Sequence, residues 1–102
     1  MKIVECKKAE NCLEGEFIYR YYFDTNWTKE TIEIMEAFGA LRYYESFPKP
    51  MFQVRCINGT VIKGLQDEKE CQTILPRRDP EIAKESFETW FQKALSGRDD
   101  NC

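Results

Sequence analysis

Between Phe17 and Asp24 apolar and polar positions alternate, with Phe17, Tyr19, Tyr21 and Phe23 on one parity and Ile18, Arg20, Tyr22 and Asp24 on the other. A period of two is that of a strand with one buried face, so the spacing predicts a strand over Glu16 to Asp24 whose odd positions turn inward. The period then lengthens. Ile32, Met35 and Phe38 recur at helical spacing after Trp27-Thr28, which predicts a helix from Lys29 to Phe38. Thr28 is read as its cap, Trp27 and Ile32 as a hydrophobic staple over the first turn, and Gly39 as the left-handed residue that ends it.

Leu41, Tyr43 and Phe47 against Arg42, Tyr44 and Ser46 predict a second strand over Ala40 to Phe47. Pro48 and Pro50 break it, because neither can donate a ladder hydrogen bond. A third strand is expected from Met51 to Ile57, with Phe52, Val54 and Cys56 inward. Asn58-Gly59 predicts a type I′ hairpin into a fourth strand over Thr60 to Leu65. Gln66 to Thr73 reads as a solvated loop, with Ile74-Leu75 as a short extra strand. Asp79-Pro80-Glu81 predicts a helix opened by a capping carboxylate and an early proline, burying Ile82, Ser86, Phe87, Trp90, Phe91, Ala94 and Leu95 and ending at Gly97. Lys2 to Cys6 fits an edge strand within residues 1–15, turning near Asn11 to Gly15, and residues 98–102 read as a frayed tail.

These elements predict a single domain over residues 1–102, of α+β class. The expected architecture is a two-layer sandwich in which two helices cover one face of an antiparallel or mixed sheet of about four to five strands. A ferredoxin-like or related arrangement fits that order, and such folds serve many functions.

Composition narrows the chemistry. Fifteen Lys and Arg against 18 Asp and Glu leave a net charge of −3 in 102 residues. The chain therefore lacks the overall positive field of a general polynucleotide binder, and a polynucleotide partner is not expected. Histidine is absent, which excludes Ser/His/Asp and Cys/His catalysis. The charged N-terminus and the lack of a long apolar run point to a cytoplasmic protein with no membrane association.

Cys6, Cys12, Cys56, Cys71 and Cys102 have neither the short ligand gaps of a zinc knuckle nor the density of a disulfide framework, so no metal site and no cofactor are expected. Asn26-Trp27-Thr28 and Asn58-Gly59-Thr60 match glycosylation sequons but read as turn and cap chemistry. Asp24-x-Asn26-x-Thr28 opens like a calcium loop, yet Lys29 and Met35 occupy the positions of its glycine and closing glutamate. Glu45, Asp24 and the Asp67 to Glu70 run are the carboxylates placed near loops, and none adjoins a nucleophile or a phosphate loop. The chain is accordingly read as non-catalytic.

What stands out is the aromatic content. Of 14 aromatic residues, 11 lie between Phe17 and Phe52, and most point to the core by parity. The opposite parity supplies the expected working surface. In one reading Ile18, Tyr22, Tyr44, Ile57 and Ile62 form an apolar patch on the open sheet face that pairs with a second copy, as a homodimer, or with another protein. In the alternative, Arg20, Tyr22, Arg42, Tyr44 and Arg55 hold a small anionic or nucleotide-like ligand on that face.

Overall fold

The computed structural model describes residues 1–8, 17–46 and 48–96. Phe47, Cys12, Cys102, the turn expected near Asn11 to Gly15, Gly97 and the 98–102 tail lie outside the described residues. The elements are β1 (Ile3–Lys8), β2 (Phe17–Phe23), α1 (Lys29–Ile34, continued by a 3₁₀ turn over Met35–Ala37), β3 (Ala40–Tyr44), β4 (Met51–Arg55), β5 (Val61–Leu65), β6 (Glu70–Leu75) and α2 (Pro80–Phe91, continued by a π-helical turn over Gln92–Ser96).

One antiparallel sheet of six strands runs in the order β1-β2-β6-β5-β4-β3. The chain leaves β2 near one side, crosses by α1 to the far edge, and returns strand by strand until β6 closes against β2. The sequence expectation of about four to five strands is thus short. The order also departs from the ferredoxin-like pattern of two βαβ halves, since four consecutive strands form a meander and α2 follows the last of them. The strand that completes the sheet is β6, expected mostly as a loop. Its inward positions are Cys71, Thr73 and Leu75, all buried, and the polar Thr73 at its centre hides the alternation.

The helices pack on one face. Tyr21, Phe23, Phe52, Val54, Ile62 and Cys71 of the sheet join Trp27, Ile32, Met35, Phe87, Phe91 and Leu95 in a single core. Trp27 is fully buried and meets Phe23, Phe52 and Phe91 at centroid distances of 5.4, 4.7 and 6.0 Å, all edge to face. Its backbone N–H donates to the Glu68 carbonyl (2.9 Å), its carbonyl accepts from the Asp67 N–H (2.9 Å), and its indole N–H donates to the Glu70 carbonyl (3.1 Å). The side chain therefore joins β2, β4, β6 and α2, and the backbone of the same residue ties them to the β5–β6 turn.

Thr28 caps α1 as expected. Its hydroxyl accepts from the Thr31 N–H (3.2 Å) while the Thr31 hydroxyl accepts from the Thr28 N–H (2.8 Å). Asp79 does not cap α2 with its carboxylate: it sits in the left-handed region (φ 54°) and only its backbone carbonyl accepts, from Ala83. A capping side chain is normally carried on an extended backbone, as at Thr28, and the left-handed backbone of Asp79 departs from that geometry. The α2 stripe is Ala83, Phe87, Phe91 and Leu95, with Ile82 and Ser86 exposed and Trp90 half-buried against Phe38.

The β4–β5 hairpin is also re-registered. Only Gly59 has positive φ (99°), the Gly59 N–H donates to the Cys56 carbonyl and the Cys56 N–H to the Thr60 carbonyl. This is a three-residue loop with glycine in the bulge position, in place of the two-residue type I′ turn. Gly39 is not left-handed; a Cβ there would lie 2.5 Å from the Arg55 carbonyl oxygen, so close backbone approach explains it.

Replacing Trp27 by Ala should destabilise the fold by about 3–5 kcal/mol, whereas Thr28→Ala should cost about 1 kcal/mol. Urea unfolding followed by circular dichroism reads both. Equal effects would show that the cap, and not the ring, holds this corner.

Candidate functional site

The outer face of the sheet carries no helix among the described residues, and the strand register decides what it displays. Lys7 lies opposite Arg20, Arg20 opposite Gln72, Gln72 opposite Lys63, Lys63 opposite Gln53, and Gln53 opposite Arg42. A single row therefore crosses all six strands, and from β2 to β3 it alternates cation and carboxamide: Arg20, Gln72, Lys63, Gln53, Arg42. From Arg20 to Arg42 the alternation keeps like charges from sitting directly opposite one another, which would be destabilising; at the β1 end of the row Lys7 does face Arg20. The cations are exposed and the two glutamines half-buried.

Two further rows flank it. On one side Ile18, Ile74, Val61, Arg55 and Ala40 follow one another across five strands. On the other lie Glu5, Tyr22 and Glu70, and across the sheet Leu65, Met51 and Tyr44. Between the rows, Arg20, Lys63, Met51, Leu65, Glu68 and Glu70 border a hollow of about 340 Å³. Arg20 donates to Glu70 there (2.9 Å).

The expected site residues are only partly brought together. Arg20, Tyr22, Arg42, Tyr44 and Arg55 all lie on the outer face, but Arg20 and Arg42 stand four strands apart, about 19 Å at ordinary strand spacing. They share a row, not a pocket. Of the expected apolar patch, Ile18, Tyr22 and Tyr44 are half-buried on the outer face. Ile57 projects fully exposed from the hairpin tip, and Ile62 is buried in the core. The cause for Ile62 is the hairpin. A two-residue turn would set Ile62 opposite Arg55, on the outer face; the three-residue loop sets it opposite Val54, facing inward. The same shift turns Lys63 outward, which is why the central cation of the row escaped the sequence reading.

Charge is segregated between the two layers. The outer face carries Lys7, Arg20, Arg42, Arg55 and Lys63 against Glu5, Glu70 and, at the border of the hollow, Glu68, which pairs with Lys49. The helix layer exposes Glu30, Glu33, Glu36, Glu81 and Glu85 against Lys29 and Lys93. Arg42, Arg55 and Lys63 make no ion pair among the described residues.

The carboxylates singled out in the sequence are engaged elsewhere. Asp24 accepts from the Lys2 N–H (2.8 Å), a bond that holds its carboxyl below the usual range. Glu45 faces Lys29 at 3.7 Å, and Glu68 pairs with Lys49. Among the described residues no group of three or more cysteines, aspartates or glutamates gathers where it could hold a metal ion. No helix among them is long and apolar enough to cross a membrane.

A second polar cluster lies under the sheet, where β1 and β2 meet α2. The Tyr21 phenol donates to Glu88 Oε2 (2.8 Å) and the Lys84 ammonium donates to the same oxygen (2.7 Å). Lys84 also stands over the Tyr19 ring at 5.1 Å. Burial, then the hydrogen bond to Glu88, hold the Tyr21 phenol well above its ordinary 10.0. Burial raises the Cys6 thiol, and pushes Cys56 up to about 11 and Cys71 to about 12. Every one of these groups is moved away from neutrality, the opposite of what an acid, base or nucleophile working near pH 7 needs.

Because these values are raised on folding, the native state holds its protons where the unfolded chain gives them up. The associated stability is complete below the ordinary thiol value of 9.0 and is lost as pH climbs towards 12. The thermal midpoint should therefore stay level from about pH 7 to about pH 8.5 and fall between about pH 9 and about pH 11. At about pH 8 iodoacetamide should leave Cys71 unmodified until the chain unfolds; rapid alkylation of Cys71 in the folded protein, read by peptide mass spectrometry, would contradict its burial. Compared with protein-family models, curated proteins and solved structures, the chain matches none.

Proposed function

We propose that this domain is a non-catalytic binding module whose open sheet face takes an extended anionic partner. The observation that carries the reading is the row Arg20, Gln72, Lys63, Gln53, Arg42, set on paired strands and backed by an acidic helix layer. Strand pairing fixes the backbone positions of the row without a partner, so the ordering cost of binding falls on the exposed side chains alone. The segregated charge also gives an approaching anion one face to meet and an opposite face to avoid.

This choice decides between the two uses of the face expected from the sequence. Pairing of two identical copies face to face would set cationic row against cationic row, and such juxtaposition costs affinity. A small anion held by Arg20 and Arg42 together is disfavoured by their separation, and in the hollow between the rows it would meet Glu68 and Glu70. An elongated partner that touches several cations in turn suits the surface better.

Two measurements test the reading. Light scattering at tens of micromolar should give a monomeric mass; a dimer would return the argument to pairing between copies. Titration with tripolyphosphate at low salt should shift the NMR signals of Lys63, Gln53, Gln72 and Arg42, and about 0.5 M sodium chloride should reverse the shifts by screening. No shift on these strands at millimolar tripolyphosphate would remove the proposal.

A further inference from the structure

We infer that the partner is an extended acidic polypeptide segment lying across the strands along the Arg20, Gln72, Lys63, Gln53, Arg42 row, with one carboxylate at every third residue; this rests on the reading that the face takes an anionic partner. Strands in a sheet stand about 4.8 Å apart, so the alternation places successive cations about 9.6 Å apart. A polyproline II segment has three residues per turn and rises about 3.1 Å per residue, so the side chains of one of its faces recur about every 9.3 Å. A β-strand repeats its faces about every 6.7 Å and loses step with the row.

The glutamines supply what such a segment needs between its charges. Its backbone makes no internal hydrogen bonds, and a carboxamide both donates and accepts. Gln72 and Gln53 stand midway between the cations, where the carbonyls and amides of the segment would pass. Leu65, Met51 and Tyr44 beside the row offer apolar contact to the residues between the carboxylates. Arg20 is already bonded to Glu70 through one nitrogen, and a guanidinium has further N–H groups to give.

A single-stranded nucleic acid fits less well. Its bases need ring faces beside the phosphate track. The Tyr22 ring lies under the Lys7 ammonium at 5.7 Å, and Tyr22 and Tyr44 sit four strands apart with aliphatic Leu65 and Met51 between. The net charge of −3 adds a general repulsion that a long polyphosphate would feel more than a short peptide.

The test uses the full chain, two capped peptides of identical composition and one single-stranded oligothymidylate of equal charge. One peptide carries glutamates at its second, fifth and eighth positions among prolines and alanines; the other carries the three glutamates side by side. Calorimetry at low salt should show the spaced peptide binding about fivefold tighter than the clustered one. Lys63→Gln should weaken the spaced peptide about fivefold and abolish the preference, while Glu85→Gln on the helix layer leaves both unchanged. Equal binding of the two peptides overturns the spacing, and tighter binding of the oligothymidylate overturns the partner class; in either case the shifts with tripolyphosphate would persist. Loss of those shifts as well would remove the anion-binding reading itself.

Discussion

The fold depends on how Trp27 is buried. A tryptophan at the entrance of a six-residue helix buries more apolar area than the helix could alone, and its polar indole N–H must find a partner inside. The partner is the Glu70 carbonyl, at the first residue of β6. Trp27 also exchanges backbone hydrogen bonds with the β5–β6 turn, with Asp67 held at positive φ (72°). Folding the first helix onto the sheet is thereby tied to starting the last strand. Strands that are remote in the chain, β2 and β6, become neighbours at the same point.

That tie explains why both helices lie on one face of the sheet and leave the other without a helix among the described residues. The crossing from β2 to β3 spans the sheet once, by α1, and α2 returns over the same side, where Phe38 and Trp90 stack at 4.6 Å and close the helical layer. Most of the aromatic residues lie on that side, with Tyr22 and Tyr44 on the other. What remains for the other face is the polar parity of each strand, and a solvated antiparallel face is ordinary in such sheets. Its side chains are less ordinary in their arrangement, because the register lines up the long cations instead of scattering them.

The sequence made the covered side legible and the open side only half so. Tyr21, Phe23, Phe52, Val54, Phe87 and Phe91 are core residues by period alone, and the Thr28 cap follows from local chemistry. β6 was hidden because buried Thr73 is polar and half-exposed Ile74 is not, which inverts the expected alternation. The open face turned on one residue of register. Asn58-Gly59 suits either a two-residue or a three-residue hairpin loop, and the difference flips every side chain of β5. Ile62 and Lys63 changed places for that reason. Arg20 and Arg42 were recognised as facing outward, but their separation depends on strand order, which pairs residues far apart in sequence and leaves no local trace.

The row also bears on how a surface of the proposed kind is built in so small a chain. A chain of 102 residues has little room for an internal cleft, and the core of the described residues is already filled by rings. An antiparallel sheet offers another solution, since each strand contributes one side chain at a fixed step and the hydrogen-bond ladder holds the steps rigid. Alternating lysine or arginine with glutamine lowers the cost of gathering cations on one face: neighbouring positions are never both charged between Arg20 and Arg42, while next-nearest cations, about 9.6 Å apart, are separated by about a Debye length at moderate salt. On the proposed reading, such a surface keeps its cations apart in the free protein and would sum their charges over a partner that spans it. The exposed acidic residues of the helix layer add to the asymmetry, so that in a chain whose net charge is −3 the cations outnumber the carboxylates on the outer face of the sheet.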